Sequence, residues 1–201
     1  MNSLTNSSFK KHKTIRDIVS IAIFVASIWV GALLINTFVF QTYTVNGASM
    51  EDTLHTGDHV FVNKLPETAA LISGKAHIPE RGQIIIFKNP LPELRREEEF
   101  IVKRVVGLPG ERVVVENGKI TIFNTEHPTG FDPDTTYSGP RYPTEGNVDI
   151  TVPEKELFVA GDNRLGRHSF DSRNGLSTIP LSLLQGHVTA RFFPFNQLRG
   201  F

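Results

Sequence analysis

Two stretches of the chain could together supply a serine nucleophile and a lysine base. The first is VNGASMEDTL, residues 45–54, in which Ser49 follows two small residues that would let a substrate backbone come close. The second is EFIVKRVVGLPGE, residues 99–111, in which Lys103 interrupts an apolar strand pattern. Burial in an apolar wall lowers the pKa of a lysine, so Lys103 could act as a neutral base near neutral pH. Taken singly, each stretch also fits an ordinary turn or a solvated strand lysine.

A third polar stretch, GDNRLGRHSFDSRNG, concentrates two aspartates, three arginines and two serines in residues 161–175. Its His168, Ser169 and Asp171 do not favour a triad, because adjacent strand residues point to opposite faces. The chain has no cysteine, which excludes thiol nucleophiles and cysteine-ligated metals. The seven histidines are scattered without a ligand motif, so we expect neither a metal nor a cofactor.

The chain begins with a basic segment followed by an apolar run. Residues 18–40 contain 23 residues without a charge and would form a helix about 35 Å long, enough for a bilayer core of about 30 Å. Four basic residues and one acid precede this run in residues 1–17, so we expect the N-terminus in the cytoplasm. The alternatives are a cleaved signal peptide, whose core is shorter, and a buried core helix, which would carry a polar face. The sequence predicts a single-pass membrane anchor over residues 18–40.

Charge is divided unevenly between this segment and the rest of the chain. The whole chain is formally neutral, with 21 basic and 21 acidic residues, whereas residues 41–201 hold 17 basic and 20 acidic residues. The neutral total and the mildly acidic remainder argue against a nucleic-acid partner. The hydrophobic content of 39% and the charged content of 21% are typical of a globular domain.

The rest of the chain alternates short β-prone runs with glycine and proline turn signals. Asn117 and Gly118 favour a tight hairpin between two of these runs. Residues 125–149 predict a long surface insertion, and a shorter excursion contains a helical turn at residues 67–72. The pattern predicts a mainly β catalytic domain, an antiparallel barrel or sandwich. The predicted strands are 41–45, 59–63, 83–88, 100–106, 111–116, 119–123, 156–160 and 187–193.

In this order and behind an anchor, the stretches resemble the type I signal peptidases, the membrane-bound Ser/Lys endopeptidases of bacteria and organelles. The resemblance runs from the anchor through SM-x-x-TL, GDHVFVNK, RGQIIIFK and IVKRVVGLPGE to GDNR and SFDSRNG. KRVVGLPG followed in register by GDNR and DSR is its specific part. The single anchor and the short domain are similar to the Gram-positive members of the family.

The resemblance implies a role for each matched residue. Ser49 would be the nucleophile and Lys103 the general base, with Ser169 orienting the lysine amine. Four charged residues would support the site through ion pairs and hydrogen bonds: Arg104, Asp162, Asp171 and Arg173. The oxyanion and substrate-pocket positions would be Gly47, Met50, Tyr43, Val45, Leu54 and Val102, with Met50 in the floor of the site.

Three features depart from the family pattern. Asp52 stands where SM-x-P-TL has proline, and Gly47 stands where some members have a serine that helps to bind the oxyanion. The backbone N–H of Ser49 is then expected to carry more of that stabilisation. Four residues separate GDNR from the serine of SFDSR, which is more than the family pattern leads us to expect.

The function implied by the resemblance is cleavage of N-terminal signal peptides with small residues at P1 and P3, as in Ala-x-Ala, from exported preproteins. The enzyme would be anchored in the plasma membrane with its catalytic domain outside, so its partners are preproteins and the lipid bilayer, with no nucleic acid and no metal. Two other hypotheses remain. A tethered, non-catalytic binding module disagrees with the presence of both Ser49 and Lys103, and a self-cleaving repressor disagrees with an anchor in place of a DNA-binding domain.

Overall fold

The computed structural model describes residues 4–201 apart from 52, 92, 94–98, 138–142 and 167, with side chains from residue 15 onward. The departure at Asp52 and parts of the predicted segments 1–17 and 125–149 therefore lie outside the described residues. The chain divides into two compact units, Met1–Val39 and Phe40–Phe201.

The first unit is a single helix, α1, Leu4–Phe38. Its segment Ile15–Phe38 is long and apolar enough to cross a membrane. The helix ends two residues before the predicted boundary at residue 40. The reason is that Phe40 already pairs with Asn63 in the first antiparallel ladder of the second unit.

The second unit is built of antiparallel strands, and all eight predicted strands are confirmed with small shifts of their ends. The predicted helical turn at residues 67–72 is confirmed within helix α2, Leu65–Ser73. Three short 3₁₀ helices span Pro133–Thr135, Leu181–Leu183 and Phe195–Gln197. The strands are β1 Phe40–Thr44, β2 His59–Asn63, β3 Ile84–Lys88, β4 Phe100–Gly107, β5 Arg112–Glu116, β6 Lys119–Phe123, β7 Val148–Thr151, β8 Glu156–Ala160, β9 Ile179–Pro180, β10 Leu184–Phe193 and β11 Arg199–Gly200.

The strands form two sheets. The larger sheet has the order β1-β2-β10-β3-β4-β8-β9, with β11 on β10, and the smaller sheet has the order β6-β5-β7. The pairings among the described strands form an open path, so the barrel that the sequence suggested is not closed. The chain leaves the larger sheet at the turn after β4, and β5 then pairs with β6 and β7 instead.

Strand β4, which contains Lys103, is an interior strand of the larger sheet. It pairs with β3 on one side and with β8 on the other, and Lys103 lies opposite Ile85. Ile101 belongs to one buried apolar cluster, and Val102 packs against another on the opposite face. A side chain in the middle of β4 is therefore held by a strand with close neighbours on both sides and both faces.

The predicted surface insertion, residues 125–149, is more closely packed than its composition indicated. Ile122 and Phe131 exchange backbone hydrogen bonds, and Pro133 and Thr144 are buried. Its last two residues, Val148 and Asp149, begin strand β7, which was not predicted and which pairs with β5. Strands β9 and β11 were also not predicted, because each contains only two residues. The insertion is therefore a packed part of the domain in its described residues.

Candidate active site

The side chains of Ser49 and Lys103 meet although 54 residues separate them in the chain. Nζ of Lys103 lies 2.9 Å from Oγ of Ser49 and 2.8 Å from the carbonyl oxygen of Val102. Lys103 is only 3% exposed, and Ser49 is half-buried. The sequence pattern thus predicted a lysine in an apolar wall, and the structure places its amine within hydrogen-bonding distance of the serine hydroxyl.

Backbone hydrogen bonds join the two ends of the loop that contains Ser49 and form a turn within it. The N–H of Val45 donates to the carbonyl of Asp58, and the N–H of Leu54 donates to the carbonyl of Met50. Gly47 adopts a φ of +95°, a conformation that glycine adopts without steric cost. The hydroxyl oxygen of Thr56 accepts from the Gly47 N–H at 3.0 Å. Ser49 therefore lies in a constrained loop between β1 and β2.

Asn163 holds this loop from the opposite side, and sequence reasoning did not single it out. Its backbone N–H donates to the carbonyl of Ser49 at 3.0 Å, and its side-chain amide donates to the carbonyl of Ala48 at 3.1 Å. A Cβ at Gly161 would collide with the same Ser49 carbonyl. The GDNR motif thus packs its backbone against that of Ser49, a long-range contact that only the position of the motif in the fold reveals.

Arg104 and Asp162 form the buried ion pair that the resemblance implied. Nε of Arg104 donates to Oδ1 of Asp162 at 2.7 Å, and the Nη2 group donates to Oδ2. The hydroxyl of Thr53 also donates to this carboxylate, and Arg104 donates through Nη1 to the carbonyl of Gly82 at 2.7 Å. This pair links β4, next to Lys103, with the loop of Ser49 and with the GDNR motif.

Asp171 and Arg173 form a second ion pair whose side chains are both fully buried. Asp171 also accepts from the N–H of Gly161 at 2.9 Å. Arg173 donates through Nη1 to the carbonyls of Glu145 and Arg164, at 3.2 and 3.0 Å. The pair therefore ties the DSR segment to the backbone on either side of the GDNR motif.

Ser169 is fully buried, but it does not make the predicted hydrogen bond in this structure. Its Oγ has no hydrogen-bond partner among the described residues, so it accepts nothing from the Lys103 amine. A Cβ at Gly161 would collide with this hydroxyl. The Ser169 hydroxyl therefore lies against the backbone of Gly161.

A cavity of about 380 Å³ opens beside Ser49 and Lys103. Tyr43, Val45 and Val102 line it, as predicted for the substrate pocket, and so do Gly47 and the serine loop. Met50 and Leu54 do not line the cavity; both are fully buried in the apolar cluster that includes Val45. The pocket assignment of Leu54 is therefore corrected: its side chain supports the wall from within the core.

Besides Lys103 and Tyr43, the titratable residues Glu99 and His168 border this cavity, and these two are exposed. Burial, followed by the nearby Glu99 carboxylate, raises the pKa of the Tyr43 phenol above its usual value. Tyr43 therefore stays neutral around physiological pH and offers a polar group beside the apolar side chains of Val45 and Val102. Among the described residues, no cluster of three or more histidine or acidic side chains could hold a metal ion.

A serine hydroxyl beside a buried amine, at the edge of a cleft in an antiparallel β domain, is an arrangement suited to a peptidase. A family model described as signal peptidase, peptidase S26, matches residues 15–193. Signal peptidase I of Bacillus amyloliquefaciens is 36% identical over 174 residues, which is 84% of each chain. Signal peptidase I S of Bacillus subtilis is 34% identical over 181 residues, covering 84% of this chain and 85% of the relative.

The chain therefore belongs to the peptidase S26 family of signal peptidases, which are serine endopeptidases that cleave signal peptides from preproteins. Among solved structures, the crystal structure of a signal peptidase I from Enterococcus faecalis is 27% identical. The match covers 55% of this chain and 97% of that one, with a TM-score of 0.42.

Proposed function

We propose that Ser49 and Lys103 are the nucleophile and the general base of signal-peptide cleavage by this chain. The observation that carries the proposal is the 2.9 Å separation between Lys103 Nζ and Ser49 Oγ, combined with the burial of the lysine. Burial disfavours the charged form of an amine, and a neutral amine has the lone pair that a general base needs.

The proton transfers follow from the geometry of this pair. In the neutral state the Lys103 amine donates one N–H to the Val102 carbonyl, 2.8 Å away, and its lone pair accepts the proton of Ser49. Ser49 Oγ attacks the scissile carbonyl, and the resulting ammonium returns the proton to the leaving amine of the mature protein. A water molecule then attacks the ester that joins the signal peptide to Ser49; the neutral amine takes a proton from this water and returns it to Ser49 Oγ as the ester bond breaks.

The surrounding contacts support this role by holding the two reacting atoms in place. Asn163 fixes the backbone of Ser49, while the Arg104–Asp162 and Asp171–Arg173 pairs tie β4 and the two motifs together. The N–H of Ser49 is the proposed oxyanion donor, since the Gly47 position offers no side chain. The role of Ser169 as an orienting group for the amine is proposed from the resemblance alone, since its buried hydroxyl makes no hydrogen bond among the described residues.

The proposed substrate preference combines the resemblance with the residues that border the cleft. The cleft, of about 380 Å³, is bordered by Tyr43, Val45 and Val102, with Met50 and Leu54 packed behind them. The resemblance implies small side chains at P1 and P3, and these would lie against Tyr43, Val45 and Val102. We propose an Ala-x-Ala-like specificity for exported preproteins on this basis.

The cellular arrangement is proposed from the first unit. The apolar part of helix α1 from residue 18 onward would anchor the chain in the plasma membrane, with residues 1–17 in the cytoplasm because their charge is basic. The second unit, proposed from 41–201 in the sequence and observed from Phe40, would act on the outer side. Such an anchor keeps the enzyme near preproteins held in the same bilayer and raises their effective concentration.

The test is cleavage of a preprotein with an Ala-x-Ala site by the full-length enzyme and its variants. Ser49→Ala and Lys103→Ala should each abolish cleavage while the variants stay folded. Lys103→Arg should also fail, because a guanidinium does not give up its proton at working pH. Lys88→Ala, on the exposed end of β3, is the matched control and should cleave normally. Substantial turnover by either Lys103 variant would refute the dyad.

A further inference from the structure

We infer that residues 132–137 and Thr144, within the insertion, form a brace that positions both members of the dyad through Asp134 and Tyr137. The inference rests on the proposed roles of Ser49 and Lys103. Asp134 and Tyr137 touch neither of those side chains in the described structure. They act through two buried arginines, each of which is next in the chain to a residue of the site.

The first arm of the brace reaches Arg104, the neighbour of Lys103 on β4. The guanidinium carbon of Arg104 lies 4.7 Å from the centre of the Tyr137 ring, a cation–π distance. The same ring packs on Gly82, where an added Cβ would lie 2.7 Å from Tyr137 Cδ1. The carbonyl of Gly82 accepts from Arg104 at 2.7 Å. Tyr137 therefore closes over the side of Arg104 that Asp162 does not occupy.

The second arm reaches Arg164, the neighbour of Asn163. Arg164 is completely buried, and its guanidinium forms a two-pronged ion pair with the carboxylate of Asp134. The hydroxyl oxygen of Thr144, also part of the brace, accepts a hydrogen bond from the same guanidinium at 2.8 Å. Nε of Arg164 donates to the carbonyl of Gly161 at 2.9 Å. The brace thus holds the backbone segment that contains Asn163, and Asn163 donates hydrogen bonds to the loop of Ser49.

The two arms are joined by a hydrogen bond inside the brace. The hydroxyl of Tyr137 donates to Oδ1 of Asp134 at 2.5 Å. Burial, followed by the Asp134 charge, raises the pKa of the Tyr137 phenol, so the hydroxyl keeps its proton. The brace therefore contacts Arg104 and Arg164 at once. Through these two arginines it is connected to the strand of Lys103 and to the loop of Ser49.

A purely structural role would lower the folded fraction without changing the turnover of each folded molecule. A positioning role lowers kcat in folded enzyme while the KM for the preprotein stays near that of the native chain, because the brace lies outside the cleft lining. Misplacement of a catalytic group by about 1 Å can reduce the rate by about 100-fold. The split between kcat and KM thus separates the two roles.

The experiment measures kcat and KM of the full-length enzyme at a temperature where circular dichroism reports each variant as folded. Asp134→Asn keeps the shape of the side chain and removes its charge, and it should lower kcat by about 10-fold or more with KM nearly unchanged. Asp149→Asn is the matched control: it neutralises an aspartate in the same insertion that pairs only with exposed Arg112 among the described residues. This control should leave both constants as in the native enzyme.

Tyr137 provides a second measurement if Asp134→Asn does not fold. Tyr137→Phe keeps the ring over Arg104 and removes the bond to Asp134, whereas Tyr137→Leu also removes the aromatic face. We expect kcat to fall in both, and further in Tyr137→Leu. Native kcat in folded Tyr137 variants, or in folded Asp134→Asn, would overturn the brace. Ser49→Ala, assayed in parallel, separates this outcome from failure of the dyad, since turnover by Ser49→Ala would refute the dyad itself.

Discussion

Replacing Asp171 with asparagine tests how much the buried ion pair beside the site stabilises the fold. The Asp171 and Arg173 side chains have no solvent exposure. The carboxylate accepts four N–H groups: from Gly161 at 2.9 Å, and from the backbone, Nε and Nη2 of Arg173 at 3.0, 3.1 and 2.7 Å. Asparagine has nearly the same shape, but its NH₂ group would face donors on one side, and its neutral amide would leave the guanidinium uncompensated.

The size of the effect follows from these contacts. Two of the four bonds join opposite charges, and each charge-assisted bond contributes about 1.5–3 kcal/mol. Removing one partner of a buried ion pair costs about 3–5 kcal/mol, which agrees with the sum of two such bonds. For a domain of this size, each kcal/mol lowers Tm by about 2–4 °C, so Asp171→Asn should lower Tm by about 10 °C.

The assay is thermal unfolding of the full-length protein followed by far-UV circular dichroism in the β region. Tryptophan fluorescence is unsuitable, because the only tryptophan of the chain is Trp29, in helix α1. The control is Asp149→Asn, whose carboxylate and Arg112 partner are both about half exposed. Exposed pairs contribute little to stability, so this variant should unfold at the native Tm. If both variants lower Tm equally, burial of the Asp171–Arg173 pair does not have the assigned effect.

Two further predictions concern pH and backbone conformation. Burial alone would raise the pKa of Glu111, but hydrogen bonds, first of all from Arg81, lower it overall. The unfolded chain then binds this proton more tightly, so Glu111 stabilises the fold above its unfolded pKa of about 4.3, and that contribution is lost as pH falls through the folded pKa. Glu111→Gln should therefore flatten the acid limb of the unfolding free energy; an unchanged acid limb would contradict this assignment. Gly82→Ala should lower Tm more than Gly57→Ala: both positions have φ near +90°, but only at Gly82 does a Cβ meet a neighbour, the Tyr137 ring. Equal Tm losses in these two variants would show that the ring contact has no effect.

Much of the fold could be predicted because its strands are locally recognisable. Alternating apolar residues and turn signals indicated β2 and β6 with their observed ends, and the hairpin at Asn117 and Gly118 joins β5 to β6 as expected. Strand β7 escaped prediction because its four residues, VDIT, follow a loop rich in proline and glycine and acquire their strand partner only through β5. The sequence left a barrel and a sandwich open, and the described strands do not close into a barrel; strand count and spacing could not decide this, because they do not determine which edges pair.

The residues of the candidate site likewise fall into those that local motifs indicate and those that only the fold reveals. Ser49 and Lys103 could be proposed from two motifs, since small residues before a serine and a lysine in an apolar strand are visible locally. Asn163 and Asp134 could not, because their partners lie far away in sequence: Asn163 contacts Ala48 across 115 residues and Asp134 contacts Arg164 across 30. The placement of Ser169 against Gly161 also required the fold. Local chemistry was therefore predictable, whereas long-range support required the fold.

Three buried arginines paired with aspartates lie in the part of the domain that contains Ser49, and their burial requires an explanation. Arg104, Arg164 and Arg173 are each buried and each paired with an aspartate. Replacing a buried ion pair by apolar side chains is often neutral or stabilising, so stability alone gives little reason for three such pairs. A guanidinium has several donors in a fixed plane and can hold a carboxylate and backbone carbonyls at once. Arg104 and Arg164 each do both: Arg104 donates to Asp162 and to the Gly82 carbonyl, and Arg164 donates to Asp134 and to the Gly161 carbonyl. We propose that the three pairs act as orienting elements that keep a hydroxyl and an amine, from distant parts of the chain, at 2.9 Å.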